Sequence, residues 1–138
     1  MTDYADWTRN LIADIRANGR PSSGYFEGRP VLVLTTTGAK TGQPRTAVVS
    51  FSRDGDDYVV VGSKSGEPQD PAWFINLVAN PVVTVETDHK TFQARATVAE
   101  GADRQTLWDQ HVAEHPQFAE YPSKTDRIIP IVRLKPFD

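Results

Sequence analysis

At 138 residues, with a formal net charge of -3 and 24% charged against 38% hydrophobic residues, the chain has the size of one domain, 1–138, with apolar material for a single core that needs no metal or disulfide. It has no cysteine, which excludes a disulfide framework, a zinc-thiolate site and a thiol nucleophile, and its mildly acidic balance argues against general nucleic-acid binding. No apolar stretch reaches the roughly 20 residues that span a bilayer, and the opening Met-Thr-Asp-Tyr-Ala-Asp has neither a basic n-region nor an h-region, so a cytoplasmic protein without an integral membrane segment is expected.

Residues 3–18 read as an amphipathic helix: Trp7, Leu11 and Ile15 recur every fourth position with Ala5 and Ile12 on the flank, and Gly19-Arg20-Pro21 stops the run. Residues 19–29 are loop by composition, with Tyr25 and Phe26 the aromatic exceptions. A β-forming run, Val31-Leu-Val-Leu-Thr-Thr-Thr37, gives a first strand over 30–37, and its continuous apolar start implies cover on both faces. A glycine-punctuated tip from Gly38 to Pro44 leads to a second strand, Arg45 to Arg53. The turn at Asp54-Gly-Asp-Asp57 returns a third strand, Tyr58 to Ser63.

A polar connection, 63–69, precedes a short helix that Asp70 is expected to cap with Pro71 at its first position. Trp73, Phe74, Leu77 and Val78 supply its apolar side, Asn80-Pro81 ends it, and Trp73 and Asn76 at i and i+3 share a face. A core anchor for Trp73 and a helix-terminus hydrogen bond for Asn76 are their plainest roles. Val82–Thr87 and Thr91–Val98 form a second hairpin around Asp88-His89-Lys90. There, Phe92, Ala94, Ala96 and Val98 alternate with polar residues, so one face is wet. Residues 102–115 make a third helix with Leu107, Trp108 and Val112 inward, and Arg127 to Leu134 a last strand that Pro130 interrupts, as at an edge or a bulge.

The chemistry concentrates at the first tip. No acidic residue lies between Gly28 and Asp54, whereas Lys40 and Arg45 bring two cations, Thr35 to Thr37 and Thr41 bring hydroxyls, and Gly38 and Gly42 permit positive φ, which lets backbone N–H groups converge. In an acidic chain this reads as a local anion site, with a solvated loop as the alternative. It is not a P-loop, since the Gly-Lys-Ser/Thr order is absent and no helix follows.

Other chemistries fare worse. His111-Val-Ala-Glu-His115 has the spacing of inverted zincins, but His115 precedes Pro116 and no third ligand stands out. Two imidazoles and a carboxylate on a solvated face are therefore expected, and no metal. No Gly-x-Ser-x-Gly elbow and no Gly-x-Gly-x-x-Gly fingerprint occurs.

Four blocks, in order, are Gly38-Ala-Lys-Thr-Gly-Gln-Pro-Arg45, Val59-Val-Val-Gly-Ser-Lys64, Asp70-Pro-Ala-Trp-Phe-Ile-Asn-Leu-Val-Ala-Asn-Pro81 and Tyr121-Pro-Ser-Lys-Thr-Asp-Arg-Ile-Ile-Pro130. Together they resemble the deazaflavin (F420)-dependent nitroreductase family over nearly the whole chain. The resemblance implies an α+β, mainly β fold: a split β-barrel of about six antiparallel strands with flanking helices, similar to FMN-binding split barrels. It implies an F420H2-dependent reductase that passes a hydride from the reduced deazaflavin to a quinone, a nitro compound or an α,β-unsaturated carbonyl. Two alternatives stay open, a non-catalytic F420 carrier and an FMN-binding split-barrel protein.

By the same resemblance, Gly38, Lys40, Thr41 and Arg45 clamp the phosphate and acidic tail of the coenzyme, where charge-assisted hydrogen bonds are the stronger kind, with Arg29 assisting. Gly62, Ser63 and Lys64 lie beside the ring, and Pro71, Trp73 and Asn76 close around the ring–phosphate junction. Ser63 and Tyr121 are the catalytic candidates as proton donors, and Phe118 and Tyr25 are substrate walls. Position 50 is Ser, where relatives are expected to carry a larger group facing the substrate. The partner is a small-molecule electron acceptor. Related split barrels pair through their sheets, so a homodimer is compatible with the resemblance, and peripheral membrane association stays open.

Overall fold

The computed structural model describes residues 4–22, 30–62, 71–116 and 129–137. Among them, β1 (Val31–Thr37), β2 (Pro44–Asp54), β3 (Asp57–Val61), β4 (Val82–Thr87), β5 (Lys90–Val98) and β6 (Ile131–Phe137) close into one antiparallel barrel in the order β1-β2-β3-β6-β5-β4. Closure leaves no unpaired edge. Three helices, α1 (Tyr4–Asn18), α2 (Ala72–Ala79) and α3 (Gly101–Glu114), complete the described elements.

Side-chain alternation divides the apolar residues into an interior and two exterior layers. Leu32 and Leu34 of β1 face inward with Phe51, Tyr58, Val60, Val83, Val85, Ala94, Val132 and Leu134, and Trp73 and Leu77 of α2 join that interior cluster. Val31 and Val33 face outward and are covered by Ile12 and Ile15 of α1. This accounts for the unbroken apolar start of β1: each face has its own cover, and all four residues from Val31 to Leu34 are fully buried. On another side Leu107 of α3 covers Val59, Val61, Ala99, Ile129 and Ile131.

Several local expectations shift. Pro71 is the N-cap of α2, with extended backbone (φ -63, ψ 150), rather than its first residue, and Asp70 lies outside the described residues. Val78, expected on the apolar side of α2, is 58% exposed, as is Ile75 at 53%, because the helix buries Trp73, Asn76 and Leu77 against the barrel, with Phe74 partly buried beside them. In α3, Leu107 and His111 are buried, while Trp108 and Val112 are only half-buried. The last strand begins after Pro130 instead of containing it, and runs on to Phe137. The β4–β5 turn is tighter than expected: Asp88 and His89 both have positive φ (50° and 64°), the mirror-image turn that matches strand twist, and Lys90 already belongs to β5.

Candidate functional site

The hairpin register decides which tip residues meet. Opposed residues in an antiparallel ladder point to the same side, and Thr36 pairs with Arg45 and Leu34 with Ala47. Since Leu34 faces the barrel interior, Thr36, Arg45 and Ala47 share that side at the rim, where α2 packs against β1 and β2. Between hairpin and helix lies a cleft of about 420 Å³, lined by Thr36, Gly38, Ala39, Lys40, Thr41, Arg45, Thr46, Ala47, Ala72, Trp73, Ile75 and Asn76.

The tip is held by its own backbone. Gly38 N–H donates to Gln43 O (2.8 Å), Gly42 N–H to Gly38 O (2.9 Å), and Gln43 N–H to Thr41 Oγ1 (3.2 Å). Of the two glycines only Gly42 has positive φ, at 70°. Gly38 is required for a different reason: a Cβ there would stand 2.6 Å from Thr41 Oγ1 and 3.2 Å from Gln43 O. The amides of both glycines are thus spent inside the turn. Among the described residues, the tip amides with no protein acceptor are those of Lys40 and Thr41.

Lys40 and Arg45 are exposed, and among the described residues neither is paired with a carboxylate. Among the described residues they are the only charged groups on the cleft lining. Arg45 Nη1 makes one local bond, to the neighbouring Pro44 O at 3.3 Å. Opposite them, Trp73 is 9% exposed: it anchors the interior cluster and also walls the cleft. Asn76, 8% exposed, accepts from Ala39 N–H at 3.0 Å through Oδ1 and donates through Nδ2 to Thr36 Oγ1 at 3.1 Å. Two cations, acceptor-free amides, hydroxyls and an aromatic wall suit a ligand with an acidic end and a flat apolar end.

Six expected site residues therefore meet at one cleft: Gly38, Lys40, Thr41, Arg45, Trp73 and Asn76. Gly62 and Pro71 do not line it; they pack on each other. Gly62 donates its N–H to Pro130 O at 2.9 Å, and a Cβ on it would stand 2.8 Å from Pro130 Cγ and 3.4 Å from Pro71 Cδ. Ser63, Lys64 and Tyr121 lie outside the described residues, as do Tyr25, Arg29 and Phe118. Ser50 pairs with Val31, on the face covered by α1. Thr36, Ala39, Thr46, Ala47, Ala72 and Ile75 complete the described lining; the five apart from Thr36 carried no functional signal of their own in the sequence.

The histidine pair on α3 overturns the expectation of a solvated face. His111 is 0% and His115 5% exposed, because the helix turns this side onto β2. His111 Nδ1 lies 2.9 Å from Ser52 Oγ, His115 Nε2 donates to Phe51 O at 2.9 Å, and the rings lie tilted by 36° with centroids 4.6 Å apart. Burial, aided by the adjacent His115, pushes His111 from 6.5 down to about 3, so it is neutral at physiological pH. Glu114 points away, exposed. The pair pins α3 to the barrel.

Residues 7–136 match the F420H(2)-dependent quinone reductase family. A F420H(2)-dependent quinone reductase of Mycobacterium tuberculosis (strain H37Rv) is 42% identical over 121 residues, 85% of this chain and 80% of that protein. A solved structure of an F420-H2 dependent reductase, FDR-A, superposes with a TM-score of 0.72 at 38% identity over 78% of this chain and 95% of its own. Another, described as a domain-swapped dimer, gives 0.74 at 34% identity over 96% and 100%. With the barrel, the cleft and a family match across nearly its whole length, the chain belongs to the F420H(2)-dependent quinone reductase family.

Proposed function

We infer that the whole chain, 1–138, acts as one coenzyme-binding unit that reduces activated small-molecule acceptors, a quinone first and also nitro compounds and α,β-unsaturated carbonyls. The observation that carries this reading is the cleft that Lys40, Thr41 and Arg45 line together with Trp73, with no carboxylate among the described lining residues and with the Lys40 and Thr41 amides lacking a protein acceptor among the described residues. Coenzyme F420 in its reduced form, when bound, supplies the hydride.

The chain's own residues supply binding, orientation and water exclusion. Lys40, Arg45 and Thr41 take the phosphate and acidic tail by charge-assisted hydrogen bonds, and Trp73 with Ala72 and Ile75 offers an apolar wall. Gly62 and Pro71, packed together, carry the segment with Ser63 and Lys64 that the reading assigns to the ring end. Ser63 and Tyr121 are assigned to deliver a proton to the anion developing on the acceptor, where a phenol of ordinary pKa about 10 acts only if well placed. Pairing of two copies belongs to the same reading, since one relative at 34% identity is described as a domain-swapped dimer; sedimentation as a monomer in analytical ultracentrifugation would remove it.

The test is single-turnover oxidation of bound reduced coenzyme by menadione, a nitroarene and an enone in separate reactions. Oxidation of the reduced coenzyme by menadione supports the reductase. Binding without oxidation by any acceptor would make the protein a carrier, and a retained yellow flavin with no affinity for the deazaflavin would replace the coenzyme itself.

A further inference from the structure

The cleft's acidic-end contacts depend on a side chain that is itself already committed. Asn76 is buried on α2 one turn after Trp73, and both ends of its carboxamide are engaged: Oδ1 by Ala39 N–H at 3.0 Å and Nδ2 by Thr36 Oγ1 at 3.1 Å. Thr36 is 2% exposed, and its hydroxyl in turn reaches Arg45 O at 3.5 Å, a long contact at the limit of hydrogen bonding. One carboxamide thus ties the helix that bears the aromatic wall to the turn that bears Lys40 and to the strand pair that bears Arg45.

The amide census of the turn explains what this tie accomplishes. Gly38, Gly42 and Gln43 N–H are satisfied within the turn, and Ala39 N–H is satisfied by Asn76. Lys40 and Thr41 remain. Without Asn76, the Ala39 amide would be a third free donor on a turn no longer held at a set distance from α2, and the donors would have to be ordered when the ligand arrives. Ordering before binding removes that cost from the binding step.

We propose that Asn76 is a positioning residue: it holds the anion-binding turn from α2 and presets the Lys40 and Thr41 amides and the two cations for an acidic group, without ligating that group itself. The proposal rests on the coenzyme reading above, yet its first test needs no coenzyme. In ligand-free protein, amide hydrogen exchange at Ala39 should speed up at least tenfold in Asn76→Ala. Thr36→Val, which removes one arm of the tie, should weaken coenzyme binding several-fold, and Thr36→Ser should restore it. Asn76→Ala itself should raise the coenzyme Kd by roughly tenfold to a hundredfold, the effect of losing one or two buried hydrogen bonds.

In wild type, adding coenzyme should leave the Ala39 amide as protected as before. Exposure of that amide on binding would mean that Asn76 swings onto the ligand, and the proposal fails; so it does if Ala39 exchanges alike in wild type and Asn76→Ala, or if the Kd is unchanged. Should Asn76→Ala not fold, the Thr36 variants and the wild-type exchange with and without coenzyme still decide. An unchanged Kd in Lys40→Ala with Arg45→Ala would instead sink the coenzyme clamp, while the ligand-free exchange at Ala39 continues to judge the hold on the turn.

Discussion

Replacing Lys40 and Arg45 together by alanine removes the two charged groups on the described cleft lining and little else. Neither takes part in an ion pair among the described residues, and Arg45 gives up only an exposed bond to its neighbour Pro44, so stability should change by less than about 0.5 kcal/mol. Binding should change far more. A hydrogen bond to a charged group contributes roughly 1.5–3 kcal/mol, and because both side chains are exposed the lower end applies to each. Together they account for about 3 kcal/mol, or on the order of a hundredfold in Kd. If both grip one phosphate, the single variants will not sum to the double, since each loss lets the other cation reposition. The assay is a titration of oxidised and reduced coenzyme F420 into wild type, each single variant and the double, followed by quenching of tryptophan fluorescence, at two salt concentrations. Wild-type affinity should fall with salt and the double variant should have lost most of that dependence. A double variant with unchanged Kd and an unchanged salt slope would refute the clamp.

Acid should weaken the attachment of α3. His111 has its pKa lowered in the fold from 6.5 to about 3, so the folded state binds its proton less readily than the unfolded chain. Its contribution is therefore complete above about pH 6.5 and is lost as the pH falls from there toward 3, by at most about 1.4 kcal/mol per pH unit. Urea midpoints at pH 7.5 and 5.0 check this, and a His111→Phe variant with the same pH slope as wild type would contradict it. Ser52→Ala, which removes the partner of His111 Nδ1, should cost about 1–3 kcal/mol by the same denaturation assay. Gly38→Ala should displace the Thr41 hydroxyl, 2.6 Å from the new Cβ, and weaken coenzyme binding about tenfold in the same titration. Arg133 joins Asp54, Asp57 and Asp103 at 2.6–3.0 Å, tying the β2–β3 turn and α3 to β6. Arg133→Ala should lower stability by about 2 kcal/mol, read as a drop in Tm, and Arg133→Lys should recover it only in part, because an ammonium cannot match the forked geometry.

Much of the strand content was legible because its signals are local. The run from Val31 to Leu34, the Asp-Gly turn after β2 and the alternation from Phe92 to Val98 each follow from backbone sterics and a two-residue period. So did the clustering of Lys40, Thr41 and Arg45, which are neighbours in the chain. Where sequence reasoning failed, a tertiary partner had intervened. His111 and His115 look solvated beside Glu114, yet β2 offers Ser52 Oγ and the Phe51 carbonyl, and burial follows those partners. Val78 looks like a core residue, yet it lies off the face of α2 that buries Trp73, Asn76 and Leu77.

By itself the sequence determined the chemical inventory: an acidic, cysteine-free chain with strands of readable period and one acid-free, glycine-punctuated tip bearing two cations. Only the tertiary structure decided that Arg45 shares a face with Thr36, that α2 brings Trp73 and Asn76 across from the tip, and that the amides of Gly38 and Gly42 are consumed within it. The reason is one of range. Strand period and turn chemistry are set by neighbours in the chain, whereas a cleft between Lys40 and Trp73 exists only once barrel closure has set the register and seated the helix.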